Sequence, residues 1–413
     1  MNSSRATPGR GGYLLRIMSW IKSKTQNKYF VSLTVLISAL LVLAFAYTAK
    51  NFAGMLVGLL LMQVSLLPAL GATNLLILVC AVTLSLSLAE LSIDLFSNNN
   101  KSAYRATKYS PDSDYGKGSY FFFGSDLGYQ ARPGRYTSKK LSADGDVVYD
   151  VAYTIGEDGF RITDLSNSNM RIRINFFGCS FTFGEGLNDK ETLPYFLHAL
   201  DDGISVKNFG FHGYGVHQAL RILESRRDTK GDVNFLLTMP WHAERSACIP
   251  DYSRGTPRYV LSADGQLRLD GTCDNQSGQE YSLITRTLLL HHSRIYQLIR
   301  ESVLPETKDW QMELYLAIIQ EIKNLSHARN QRFVIGFIEA DNTWVDRKYS
   351  NAKIVERITE MGIDVIDMTL GQSKDYYIHQ VDRHPSAMAN LARAKLLREY
   401  LRGENKALSG ESS

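Results

Sequence analysis

Between Tyr29 and Ala89 the only charged residue is Lys50. Backbone N–H and C=O groups in so apolar a stretch have to be paired within the chain. A helix of about 20 apolar residues does this while spanning a bilayer core. There is room for three such helices, 29–49, 52–70 and 73–93, broken at "TAKNFAG" and "LPALGATN". A cleaved signal peptide fits badly because it has a single, shorter apolar run. A soluble helical hairpin fits badly because soluble helices carry a polar face. Residues 1–28 hold Arg5, Arg10, Arg16, Lys22, Lys24 and Lys28 and no acid, so the positive-inside rule makes them a basic cytoplasmic tail. Three crossings put everything after residue 96 outside the cytoplasm. Two would return it, and Lys101, Arg105 and Lys108 just past the last span keep that count open. The expectation is a multi-pass protein of the inner (cytoplasmic) membrane, with the bilayer as a partner and an extracytoplasmic, periplasmic domain.

The rest divides by composition. Residues 97–170 read as a polar linker, 97–119, followed by β-rich sequence such as "DVVYDVAYTI" with its short alternating runs. From 171 to 402 the pattern alternates. "RIRINFFG", "ISVKNFG", "VNFLLTMP", "RFVIGFIE" and "IDVIDM" read as strands. Between and after them, "ETLPYFLHAL", "VHQALRILESRRD", "QMELYLAIIQEIKNLSHA", "NAKIVERITEM" and "SAMANLARAKLLREYL" read as helices. Such alternation implies right-handed βαβ units, an α/β fold with a parallel sheet covered on both faces. The segment 241–310 is too long for a simple connection and holds a hairpin-like "PRYVLSADGQLRL"; it is expected to lie over the site. Residues 403–413 read as a disordered tail.

Composition excludes several functions. The formal charge of +4 is small and no basic patch is interleaved with aromatics, so nucleic acid is not expected. Of the four cysteines, none stands in a CxxC or a Cys/His cluster, which argues against a structural metal. Cys248 and Cys273 either pair, if the compartment is oxidising, or remain two buried thiols.

Chemistry in a parallel α/β sheet concentrates at the carboxyl ends of the strands. The first strand ends in Gly178-Cys179-Ser180, the second in "NFGFHGYG" with Asn208, Gly210 and Gly213, the third in "MPWHAER" with His242 and Arg245. After the last strand "HQVDRHPSAMAN" carries Asp382 and His384, before a helix that Pro385 can open. Singly, Ser180 reads as a turn residue, Asp382 and His384 as a loop pair, and His242 as a satisfied loop histidine. Jointly they offer a nucleophile, a base and an orienting carboxylate, the set that acyl transfer needs. Cys179 is a rival nucleophile, but it needs a nearby cation and an accessible sulfur. The α/β-hydrolase elbow G-x-S-x-G is excluded by Thr182, and no phosphate loop occurs.

"FFGCSFTFGEG" resembles the first block of the SGNH (GDSL-type) hydrolase superfamily, where Gly-Asp-Ser is usual. "VKNFGFHGYG" is similar to its second block, Asn-x-Gly-x-x-Gly, and "VDRHPSA" to its last. The resemblance covers 171–402 and implies a three-layer α/β/α, flavodoxin-like sandwich without cofactor. It implies Ser180 as nucleophile, His384 as base and Asp382 as its orienting acid. It implies an oxyanion hole from the N–H groups of Ser180 and Gly213, with Asn208 acting directly or by holding the second turn. Three departures stand out. Cys179 replaces Asp, the last pair is Asp-x-His instead of Asp-x-x-His, and the Gly-x-Asn-Asp third block is absent. His242 is the candidate replacement donor there, and His242 and Arg245 are candidate substrate contacts. The arrangement is also similar to membrane-anchored members with a short β-rich region, which tend to accompany bacterial surface-polysaccharide synthesis. The implied function is a membrane-anchored serine esterase acting on O-acetyl groups of a glycan. An O-acyltransferase with the same triad, or a non-catalytic glycan-binding or assembly factor, are the alternatives.

Overall fold

The structure, a computed structural model, describes residues 107–163, 170–225, 229–262, 264–273, 306–340 and 349–403, with short pieces at 37, 39–41, 57–60, 82–90, 293 and 295. Residues 1–28, most of the expected spans 29–49, 52–70 and 73–93, and nearly all of 403–413 lie outside the described residues. The pieces inside the spans are helical. Among the described residues no helix is long and apolar enough to cross a membrane.

The chain divides into two compact units, Met1–Lys101 with Tyr281–Pro305, and Ser102–Glu280 with Glu306–Ser413. In the first, Glu90 Oε2 accepts hydrogen bonds from Ser293 Oγ and the Ile295 N–H, each 3.1 Å long. The insertion expected at 241–310 is therefore split, its later part grouping with the N-terminal segment.

The second unit opens with short strands. β1 (Thr107–Tyr109), β4 (Gly134–Ser142) and β5 (Val147–Ile155) form an antiparallel sheet, and β2 (Phe121–Phe123) pairs with β3 (Tyr129–Ala131). Residues 107–119 are not the linker their polar composition implied. β1 pairs with β4, and the Asp114 carboxylate accepts from the Thr137 N–H and hydroxyl. Polar residues here serve turn and strand contacts instead of solvent.

Next come β6 (Ile172–Phe177), α1 (Ser180–Phe183), α2 (Leu193–Leu200), β7 (Ile204–Asn208), α3 (Val216–Ser225), β8 (Val233–Thr238) and α4 (His242–Ser246). The hairpin read at "PRYVLSADGQLRL" is β9 (Pro257–Leu261) with β10 (Leu267–Thr272). Then follow α5 (Glu306–Ala328), β11 (Arg332–Phe337), α6 (Asn351–Glu360), β12 (Asp364–Asp367), the antiparallel pair β13 (Tyr377–His379) and β14 (Asp382–Pro385), and α7 (Ala387–Leu401).

The five strands read from the alternation form one parallel sheet in the order β12-β11-β8-β6-β7. From β6 the chain steps outward to β7, then crosses back to β8 on the other side. The direction reverses at β6, and the crevice that this reversal opens at the carboxyl ends is where α/β sheets bind ligands. One face of the sheet packs on Leu193 and Leu197 of α2 and Leu397 and Tyr400 of α7. The other packs on Leu220 and Leu223 of α3, Ile318 and Ile322 of α5, and Ile354 and Ile358 of α6. Tyr120, Leu127, Tyr129, Tyr153 and Ile155 belong to that second core, so the β-rich region is part of the same hydrophobic unit and not a domain apart. Pro385 does not open the last helix: it pairs with Tyr377 in the hairpin, and Ser386 caps α7 by accepting from the Ala389 N–H.

Candidate active site

β6 delivers its chain into a sharp turn. Gly178 has φ +149°, and a Cβ there would stand 2.2 Å from Thr182 Oγ1 and 2.9 Å from the Leu237 carbonyl, so only glycine fits. Cys179 follows and Ser180 begins α1, which Gly184 closes in the left-handed conformation. Arg161, itself buried, donates to the carbonyls of Phe183, Gly184 and Leu187. These are the orphan acceptors at the end of a helix and the turn after it.

The turn separates its two candidate nucleophiles. Cys179 is 1 % exposed and its sulfur lies 3.9 Å from Met239 Sδ in the core. The Arg245 guanidinium stands close by, but the sulfur has no access. Ser180 Oγ lies 3.0 Å from His384 Nε2, and His384 Nδ1 lies 2.5 Å from Asp382 Oδ1. A carboxylate accepts only, so Nδ1 carries the proton and Nε2 is left to accept from the serine hydroxyl. The His384 ring rests edge-on against Phe181.

The short Asp-x-His spacing has a geometric reason. Asp382 and His384 are alternate residues of β14, and alternate strand residues share a face. The Asp382 Oδ1 also accepts from the His384 N–H, which fixes the pair.

The second turn runs beside the first. Asn208 Nδ2 donates to the Thr182 carbonyl, while its Oδ1 accepts from the Gly210 N–H. Buried at 1 % exposure, Asn208 ties the two turns together. Gly213 has φ +71°, and its N–H makes no hydrogen bond among the described residues. The Ser180 N–H, first in its helix, has no intrahelical partner. Arg245 donates to the Tyr214 carbonyl at 2.8 Å and to Tyr252 Oη at 3.1 Å, bracing this turn and the ring of Tyr252 that covers it. His242 is elsewhere. Its Nδ1 meets Thr238 Oγ1, which also meets Tyr315, and it is fully enclosed. That placement takes it off any substrate surface, because α4 turns it toward α5.

Four residues outside the sequence reading complete the cluster: Lys140, Glu185, His212 and Tyr109. Lys140, from β4, lies 2.7 Å from Asp382 Oδ2 and 3.6 Å from Glu185 Oε1. Glu185 is buried and accepts from Tyr109 Oη and from His212 Nδ1, each at 2.7 Å. Its Oε2 stands 3.5 Å from His384 Nε2. Glu185 and His212 lie inside the two motif blocks, "FGEG" and "GFHGYG", where a buried acid between glycines was a usable signal. Lys140 and Tyr109 carry no local signature, since tertiary packing alone brings them in.

Burial alone would raise Asp382, but the hydrogen bond and charge of His384, with Lys140, hold it well below the usual carboxylate range. Glu185 follows the same pattern: burial pushes up, while His384, His212 and Lys140 bring it well below. Burial pushes His384 down, and Glu185 and Asp382 more than reverse it, so its pKa is raised. His212, ringed by Tyr115, Tyr120, Tyr153, Phe183 and Phe211, is lowered by burial despite Glu185.

Cys248 and Cys273 form a disulfide. It closes the segment carrying Tyr252, which backbone bonds between Gly255, Thr256 and Cys273 continue. Among the described residues no group of His, Cys, Asp or Glu could hold a metal ion.

No family model matches the chain, and no curated protein does. Among solved structures it is similar to a putative lipolytic protein of the G-D-S-L family from Desulfitobacterium hafniense, at 10% identity and TM-score 0.32 over 55% of this chain and 98% of that one. A lipolytic G-D-S-L family member from Veillonella parvula matches at 13% identity and TM-score 0.32, over 56% and 98% of the two chains. An acetyl xylan esterase from the rumen bacterium Butyrivibrio proteoclasticus matches at 12% identity and TM-score 0.33, over 57% and 64%. Likenesses this distant do not decide an activity.

Proposed function

We propose that this chain is a membrane-anchored serine esterase acting on acyl esters, O-acetyl groups of a glycan or surface polysaccharide above all. The observation that carries the reading is the line of hydrogen bonds from Ser180 through His384 to Asp382. In the first step Ser180 Oγ attacks the acyl carbon while its proton passes to His384 Nε2. The N–H groups of Ser180 and Gly213 face the oxyanion of the tetrahedral intermediate. His384 then protonates the departing alcohol oxygen, leaving an acyl-serine. Water, activated by the same base, releases the acid and restores Ser180. A second reading keeps the same triad and has a sugar hydroxyl replace water in the last step, making the protein an O-acyltransferase. The apolar segment supports the membrane anchor in this reading, and the disulfide accords with an oxidising extracytoplasmic compartment.

The full-length protein in detergent should release acetate from 4-nitrophenyl acetate and label with a fluorophosphonate. Ser180→Ala should abolish labelling and lower turnover by about a millionfold. Labelling retained in Ser180→Ala and lost in Cys179→Ala would overturn the assignment. An acetylated oligosaccharide offered with an acceptor sugar separates hydrolysis from transfer.

A further inference from the structure

The most unusual group near the triad takes no part in the acyl-transfer steps. Glu185 is a buried carboxylate whose Oε2 lies 3.5 Å from His384 Nε2, the nitrogen that exchanges protons with Ser180. Asp382 faces the opposite nitrogen, Nδ1. The base thus stands between two carboxylates, one at each end of its ring. We infer that Glu185 is a positioning residue for His384, a second acidic partner whose charge stabilises the imidazolium at the nitrogen where the proton arrives. This rests on the Ser180–His384–Asp382 reading.

The surroundings fit a role for the charge. A buried carboxylate is costly unless its lone pairs are satisfied. Here Tyr109 Oη and His212 Nδ1 satisfy one oxygen each, and Lys140 lies 3.6 Å from the first. Tyr109 stays protonated, its pKa raised by burial and by Glu185, so it remains a donor. Lys140 bridges Glu185 to Asp382 and fixes the distance between them. The charged or titratable groups facing His384 are then Asp382 from β14, Glu185 from the turn after α1, and Lys140 from β4, with His212 behind Glu185. With both imidazoles neutral, two carboxylates and one ammonium leave the cluster one negative charge in excess. Protonating His384 brings it to zero, so the state that forms when Ser180 gives up its proton is the balanced one. His212, enclosed by aromatic rings and lowered by burial, is neutral and orients Glu185 instead of competing for that proton.

These charges set the sign of the effect on rate. A raised His384 pKa makes the base stronger and also keeps it protonated, hence idle, to higher pH. Removing the Glu185 charge shifts the acid limb of kcat/KM to lower pH. Removing Lys140, which opposes protonation of His384, shifts it to higher pH. Loss of packing moves no limb in opposite directions for two members of one cluster.

The experiment measures kcat/KM for 4-nitrophenyl acetate against pH in full-length wild type, Glu185→Gln, Glu185→Asp and Lys140→Gln, with fluorophosphonate labelling of Ser180 over the same range. The expected result is an acid limb displaced downward in Glu185→Gln and upward in Lys140→Gln, with plateau kcat lowered about tenfold in Glu185→Gln and partly restored in Glu185→Asp. An acid limb in Glu185→Gln identical to wild type, with Ser180-dependent turnover intact, overturns the role of Glu185 and leaves the triad standing, whatever the Lys140→Gln limb does. Turnover that does not depend on Ser180 overturns the triad reading itself. If Glu185→Gln fails to fold, Glu185→Asp decides, because the shorter side chain draws the charge away from His384 Nε2: an acid limb displaced downward supports the inference, and a limb unmoved from wild type defeats it.

Discussion

At the scale of single residues the site is a set of charges held by burial. Asp382 and Glu185 both sit below their ordinary carboxylate range in the folded protein. A group whose folded pKa is depressed contributes stability that is complete above its unfolded value, about 4 for these acids, and lost as pH falls through the folded value. The protein should therefore lose stability on acidification below about pH 4. Urea midpoints of wild type and Glu185→Gln should approach one another as pH falls from about 4 toward the depressed folded value of Glu185, where the wild-type carboxylate loses its charge. A gap between the midpoints that is constant from neutral to acid would contradict this linkage. Asn208 shows a different economy: a single amide joins the Thr182 carbonyl to the Gly210 N–H. It was legible in the sequence as a site residue, but only the fold shows that it acts by holding two turns in register.

At the scale of elements, β14 explains one of the three departures from the family pattern. Asp-x-His works because the last block is a strand in a small hairpin, where residues two apart share a face. A one-residue slip sends a strand side chain to the other face. Inserting a glycine between Arg383 and His384 should therefore break the His384–Asp382 hydrogen bond and lower kcat by about 10³-fold or more, while the melting temperature changes little. Turnover that survives the insertion unchanged would show that the strand does not set the pair. The helices follow the sequence closely, because periodicity and caps are local. α2 begins at Thr192 and α7 at Ser386, each side chain accepting from an N–H three residues on. The third turn does not follow it. The "PWHAER" segment forms α4, which turns His242 inward to Thr238 and leaves Arg245 to brace Tyr214.

At the scale of the whole second unit, the region read as linker and β-rich preface is a wall of the site. Lys140 reaches Asp382, Arg161 closes α1, and Tyr153 accepts from the Gly186 N–H. The disulfide closes the segment that carries Tyr252 over the second turn, and a cross-link of this loop size stabilises by about 3 kcal/mol. For the compartment, a reporter active only outside the cytoplasm and fused after Ser413 should be active. In the unreduced protein Cys248 and Cys273 should resist alkylation. A silent reporter with both thiols alkylated would favour two spans and a cytoplasmic domain.

The sequence by itself determined the five parallel strands and their helices, with Ser180 at the end of the first strand and Asp382 and His384 after the last. Those features depend on local periodicity, on glycine at Gly178, and on the rule that chemistry gathers at the carboxyl edge of such a sheet. Only the tertiary structure decided the electrostatics. Lys140, Tyr109 and Arg161 come from a region distant in sequence, through long-range packing that no local pattern records. The Lys140 charge helps keep two buried carboxylates ionised beside one histidine, the Tyr109 hydroxyl satisfies one of them, and Arg161 holds the turn that carries Glu185.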